Sequence, residues 1–187
     1  MSGDAALLTF RRLTRDDFAL LGTWLAAPHV REWWNHDPSL GAVERDFGGA
    51  IDGAEGGEDW IAELDGRPIG LVQYSRFSDY PDYAIEMEAV YPVGDGVALI
   101  DYLVGEPDMI GRGVGSAMIS GFVAFVWIHD PSTTSIVVPV NSANVPSWRA
   151  LLRAGFRLVA RGELEPDSPT HHRLHEVLRI DRPSGAS

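Results

Sequence analysis

Hydrophobic and polar positions change period several times along the chain. Residues 7–13, LLTFRRL, alternate as a first strand. Thr14 can cap the next segment, RDDFALLGTWLAA, which puts Phe18, Leu21 and Leu25 on one helical face. HVREWWN predicts a second, short helix and SLGAVERDFGGAI a third, before the glycine-rich loop GAEGGE. DWIAELDGRPIGLVQYS has two apolar-rich runs joined by Asp65-Gly66, which predicts a hairpin. YAIEMEAVY alternates and predicts a further strand, while VALIDYLVG is apolar and β-branched throughout, as a central strand is.

After a turn the period becomes helical over roughly 113–128. TSIVVPV reads as a buried strand, NVPSWRALLRAG as a short helix ended by Gly155, and FRLVARGEL with HHRLHEVLRI as a closing antiparallel pair. The predicted architecture is one α/β domain over 1–182, a central mixed and mostly antiparallel sheet flanked by helices, with 183–187 a flexible tail.

The 187 residues suffice for one full core. With no cysteine there is no disulfide, thiol nucleophile or thiolate metal site. No apolar run reaches the roughly 20 residues of a membrane span, and MSGDAALLTF lacks the basic start and long apolar stretch of a signal peptide, so a cytoplasmic location is expected. All 15 basic residues besides histidine are arginine, and the net charge is −12. Residues 44–108 hold 16 acids and 3 arginines; residues 109–187 hold 6 acids and 8 arginines. This balance argues against a nucleic-acid or anionic-membrane partner. It allows a cationic ligand on one side and an anionic ligand on the other; a plain solvated acidic face is the alternative. His172 and His175, three apart in an expected hairpin, fall on opposite faces, and no metal site is expected.

The candidate chemistry begins at MIGRGVGSAM. A strand ending at Val104, a turn with glycines at 111, 113 and 115, and a helix N-terminus together present free N–H groups and a positive dipole end to an anion. Arg112 adds a guanidinium. The Walker A loop needs a lysine, which the chain lacks, and the Rossmann fingerprint belongs after the first strand of a parallel sheet. Neither fits.

ALIDYLVGEPDMIGRGVGSAMISGFV followed by SIVVPVNSANVPSWRALLRAGFRLV resembles the GNAT superfamily of acyl-CoA-dependent N-acyltransferases. The detailed match runs from about 97 to 160. The resemblance implies acetyl-CoA as co-substrate, its pyrophosphate on the turn Ile110, Gly111, Arg112, Gly113, Val114, Gly115 and Ser116. It places the pantetheine along Asn144 and Ser147, with strand N–H groups of Leu103 and Val104 binding the thioester. Two positions depart from the family pattern. Ile110 stands where Arg or Gln is usual, and Leu151 stands where a tyrosine often protonates the leaving thiolate. Tyr102 and Ser147 are the hydroxyls that could take over that step.

HVREWW, the hairpin and IDYLVGEPDMIGRGVGS further resemble the aminoglycoside 6′-N-acetyltransferases and the lysine N-acyltransferases of siderophore synthesis. That resemblance makes Asp101 the carboxylate that orients or deprotonates the acceptor amine. An ammonium has no lone pair, so a base at the acceptor mouth is chemically required. Trp33, Trp34, Glu86, Glu88 and Asp167 are the further acceptor candidates, one tryptophan being core and the other a wall. Asp79, Asp82 and Asp95 lie in expected loops nearby. Pro139 stands where the aminoglycoside enzymes carry an acid. The function implied is acetyl transfer to a primary amine of a cationic small molecule, an aminoglycoside foremost, by direct attack, in a monomer or homodimer. A siderophore-type lysine N-acyltransferase and a non-catalytic acyl-CoA-binding module are the alternatives.

Overall fold

The computed structural model describes residues 7–184. Of the expected tail, 185–187 lie outside the described residues. Seven strands form one sheet in the order β1-β2-β3-β4-β5-β7-β6. They are β1 (Leu8–Arg12), β2 (Glu58–Leu64), β3 (Arg67–Arg76), β4 (Val97–Val104), β5 (Ser135–Asn141), β6 (Arg157–Glu163) and β7 (Leu174–Asp181). Every neighbouring pair is antiparallel except β4 and β5, which run parallel and share only two rungs, Val97 with Ser135 and Ala98 with Ile136. Beyond those rungs the two strands part. The sheet is therefore two antiparallel halves joined at a short seam.

The helices are α1 (Phe18–Ala26), α2 (Pro28–Arg31), α3 (Leu40–Ile51), α4 (Pro81–Glu88), α5 (Val114–His129) and α6 (Val145–Arg153). α5 and α6 cover one face. Met118, Ile119, Phe122, Val123 and Val126 of α5 and Leu151 of α6 meet Ala98, Ile100, Ile136 and Val138 there. Each large apolar side chain so buried contributes about 1.5–3 kcal/mol. On the other face there are two clusters. One joins α1 and α3 to Ile61, Leu71 and Leu103; the other joins α4 to Val97, Leu99, Val137 and Val177. Along that face of β4 the sequence reads Val97, Leu99, Asp101, Leu103, so Asp101 falls in the break between the clusters.

The strand expected over YAIEMEAVY is instead α4. Pro81 sits in its first turn with the φ a helix needs, Asp82 follows at the positive dipole end, and Ala84, Glu86, Met87 and Glu88 all favour helix. Tyr83, Met87 and Val90 recur at helical spacing and pack on the core, while Ile85, which alternation would bury, is 71% exposed. The segment satisfies both periods, and the proline decides between them. Among the described residues no helix is long and apolar enough to cross a membrane.

Candidate active site

Parting of β4 from β5 opens a slot of about 90 Å³, bordered by Asp101 and Tyr102 on one strand and Val138, Pro139, Val140 and Asn141 on the other. It joins two larger spaces of about 560 Å³ each, a groove on one side and a cavity on the other.

The groove runs past the glycine turn. Gly113, at φ +82°, is the residue before α5, and Gly111 has φ +74°. A side chain would be strained at both positions, and a Cβ there would meet no atom within 4 Å, so the turn faces open space. Ile110, Gly111, Gly113, Gly115 and Ser116 line the groove with Leu103, Val104, Asn144 and Ser147. Arg112 and Val114 are not among its lining residues; Arg112 projects from the exposed side of the turn. Arg149 and Arg153, which the sequence reading missed, do line it. They are four apart on α6 and so share a face. A pyrophosphate-bearing ligand fits this cradle: open N–H groups at the start of a 16-residue helix, and two guanidinium groups across from them.

Of the two strand donors expected to bind a thioester, the backbone separates their roles. Gly105 N–H donates to the Ile69 carbonyl on β3 at 2.8 Å, and antiparallel alternation then turns Leu103 toward β3 and Tyr102 and Val104 toward the gap. Val104 N–H is the available donor; Leu103 N–H belongs to the ladder. The Val104 carbonyl is held by His29 Nε2 at 2.9 Å, another groove residue the sequence reading did not single out.

Asn144 and Ser147 have structural partners. Asn144 caps α6 by accepting from Ser147 N–H at 3.3 Å, and Ser147 Oγ lies 2.7 Å from the Tyr102 hydroxyl. This chain of bonds ties the start of α6 to β4. Leu151, one turn further along the same α6 face, is fully buried and apolar.

The cavity is acidic. Among the described residues Asp46, Glu55, Glu58, Asp59, Asp101, Glu165 and Asp167 line it, and no arginine does. Asp46, Glu58 and Glu165 are paired to arginine or histidine; among the described residues Glu55, Asp59, Asp101 and Asp167 have no such partner. Its floor is a polar row across three strands, Asp59 opposite Gln73 and Gln73 opposite Asp101. Gln73 Nε2 donates to Asp59 Oδ1 at 2.8 Å. Burial raises the Asp59 carboxyl to about 6 despite that bond. Asp101 is reached by solvent through the cavity but has protein on its other sides; this desolvation, with repulsion from Asp167, raises it to about 7. A carboxylate poised near neutrality can both hold an ammonium and take its proton.

The other acceptor candidates divide. Asp167 lines both cavity and slot, as does Trp34; Trp33 lines the slot and groove and packs against His171, the rings tilted 35° with centroids 4.8 Å apart. Both tryptophans are half-buried, just beyond α2 and not on a helix; Trp34 also packs against the α1–α3 core cluster, as Trp33 does not, so the expected core and wall roles overlap in Trp34. Glu86 and Glu88 do not line the cavity. On α4, two positions apart point about 200° away from each other, and each carboxylate accepts a backbone N–H, from Glu165 and Val93 respectively. Asp79, Asp82 and Asp95 are also absent from the lining, and Asp79 accepts from Arg76 N–H. His175 is buried in the wall of cavity and slot; His171 and His172 precede β7.

The fold sets a groove lined by a glycine turn and two arginines, and a cavity lined by carboxylates, on either side of one slot, an arrangement suited to group transfer between two substrates. The chain belongs to the GNAT acetyltransferase family: the model for the acetyltransferase (GNAT) domain matches residues 14–164. The aminoglycoside N(6′)-acetyltransferase type 1 of Klebsiella pneumoniae is 30% identical over 179 residues, spanning 94% of this chain and 86% of that protein. The solved structure of aminoglycoside acetyltransferase AAC(6′)-Ib with coenzyme A is similar at a TM-score of 0.80 and 27% identity, over 94% of this chain and 95% of that one. The same protein with paromomycin and acetyl-CoA gives 0.79 and 27%, over 94% and 93%.

Proposed function

We propose that this acyltransferase uses acetyl-CoA to acetylate a primary amine on a polycationic small molecule of the aminoglycoside type. The observation that carries the reading is the charge division across the slot. Among the described residues seven carboxylates and no arginine line the acceptor side, whereas Arg149, Arg153 and the glycine turn line the coenzyme side. Likeness to the aminoglycoside N(6′)-acetyltransferases supports the same acceptor class.

In this reading the acceptor's ammonium groups pair with Asp59, Asp167 and Glu55, and the reacting amine meets Asp101. Asp101 takes the proton that frees the nitrogen lone pair. Val104 N–H polarises the thioester carbonyl. Acetyl-CoA supplies the activated acyl group, and with no cysteine in the chain the amine attacks it directly. Trp33 and Trp34 wall the slot and exclude water. Pro139, where the resemblance implies an acid, borders the same cavity as Asp59, and in this reading Asp59 supplies negative charge there from a different strand.

The test is release of free CoA from acetyl-CoA against a panel of aminoglycosides, polyamines and lysine derivatives at low salt. Release stimulated by aminoglycosides is expected. Release only with lysine derivatives, or only with long-chain acyl-CoA, would overturn the acceptor assignment. Tight acetyl-CoA binding with no release on the whole panel would overturn turnover itself.

A further inference from the structure

We propose that Tyr102, relayed by Ser147, is the proton donor to the sulfur that leaves during acyl transfer. The proposal rests on the reading of the groove as the coenzyme site and is independent of which amine is acetylated.

The slot joining groove and cavity is the one space open to both substrates, so the reacting carbon belongs there. Tyr102 and Ser147 are the only hydroxyl-bearing residues bordering it among the described residues. Both also line the groove, whereas Asp101 borders the slot and the cavity. Base and acid are thus consecutive on β4, and strand alternation directs them to opposite faces, the base to the acceptor side and the acid to the coenzyme side.

The Tyr102 hydroxyl lies 2.7 Å from Ser147 Oγ and 3.4 Å from the Ser147 carbonyl. Ser147 and Leu151 are four apart and share a face of α6. Leu151 is fully buried and cannot donate, so the hydroxyl function on this face comes from the turn above it, where the strand's phenol reaches the helix. Burial keeps the phenol neutral across the physiological range, with Asp101 the charged group beside it. A neutral phenol is a donor.

The step balances. Asp101 first passes the ammonium's proton to water in the cavity; as the amine nitrogen then bonds to the carbonyl carbon it gives its second proton to Asp101, and the C–S bond breaks with its electron pair going to sulfur. Tyr102 gives its proton to that sulfur. In the same motion Ser147 Oγ passes a proton to the phenol oxygen and takes one from water in the groove, so no free phenolate forms.

The decisive measurement needs no acceptor: pH titration of the thiolate absorbance of CoA bound to the enzyme. A donor at the sulfur stabilises the thiolate, so the bound thiol titrates below free CoA in the wild type and returns toward it in Tyr102→Phe. In single-turnover acetyl transfer the same variant is expected to lose on the order of 100-fold in rate, with acetyl-CoA affinity within about threefold of wild type. A ring-fluorinated tyrosine at 102, nearly isosteric and more acidic, brings an alkaline limb down into the measured range, and decides the matter if Tyr102→Phe does not fold. A bound thiol that titrates identically in wild type and variant, or an alkaline limb unmoved by fluorination, overturns the proposal. Failure of wild-type protein to bind CoA overturns the coenzyme reading instead.

Discussion

Replacing Asp59 with asparagine should make the protein more stable at high pH and a poorer binder of cations. Asp59 is 6% exposed, and Gln73 donates to one of its oxygens. The asparagine side chain would keep that acceptor oxygen and lose only the charge. Burial is the first cause of the shift, which takes the carboxyl from 3.8 to about 6 in the folded protein. A pKa raised on folding means that the native state holds its proton more tightly. The stability it gives is complete below about pH 4 and is lost as pH rises through about 6. At 1.36 kcal/mol per unit, the loss is about 3 kcal/mol by pH 8. Urea unfolding of wild type and Asp59→Asn at intervals from pH 4 to 8 measures it. The difference in unfolding free energy should grow across that range by about 3 kcal/mol in favour of the variant, while the acceptor KM rises. Parallel pH profiles for the two proteins would refute the reasoning: Asp59 would then be an ordinarily solvated carboxylate.

Further outcomes follow from the charges on either side of the slot. Because Asp101 must be ionised to accept a proton and is raised to about 7, kcat/KM for the amine should fall tenfold per pH unit below about 7. Asp101→Asn should remove that limb with most of the activity. Asp167→Asn should move it to lower pH by relieving the repulsion; a limb that stays in place would remove Asp167 from the site. Arg149→Ala and Arg153→Ala should each weaken acetyl-CoA binding by about 0.5–1 kcal/mol, or roughly two- to fivefold, more so at low salt, with the acceptor KM unchanged. Calorimetric titration at two ionic strengths checks this.

What could be read from the sequence was what depends on neighbours in the chain. The apolar run around Asp101, the glycine turn into α5 and the short helix ended by Gly155 are all local patterns, and each stands where its pattern put it. Asp59 and Gln73 carry no local mark. They meet Asp101 only because the β2–β3–β4 register aligns the three positions on one row, and register is a non-local property. Arg149 and Arg153 look like an ordinary exposed pair on α6 until that helix is set beside the glycine turn. Glu86 and Glu88 were misplaced through a wrong period: alternation would put them on one face of a strand, but Pro81 starts a helix. Position 151 was informative in the negative, since a leucine there moves the search for a proton donor to another element.

The shortness of the β4–β5 ladder also bears on how this sequence can drift. Each added rung would pair backbone groups that now face the gap, at about 1 kcal/mol net per hydrogen bond. Selection for thermal stability alone would therefore zip the seam toward Asn141 and erase the slot. Neutral drift has ample room elsewhere, on the outer strands and exposed helix faces, but at the seam every gain in stability is a loss of substrate access. The open seam is thus itself a signature of function: a stretch of the fold kept unfinished by the chemistry carried out inside it.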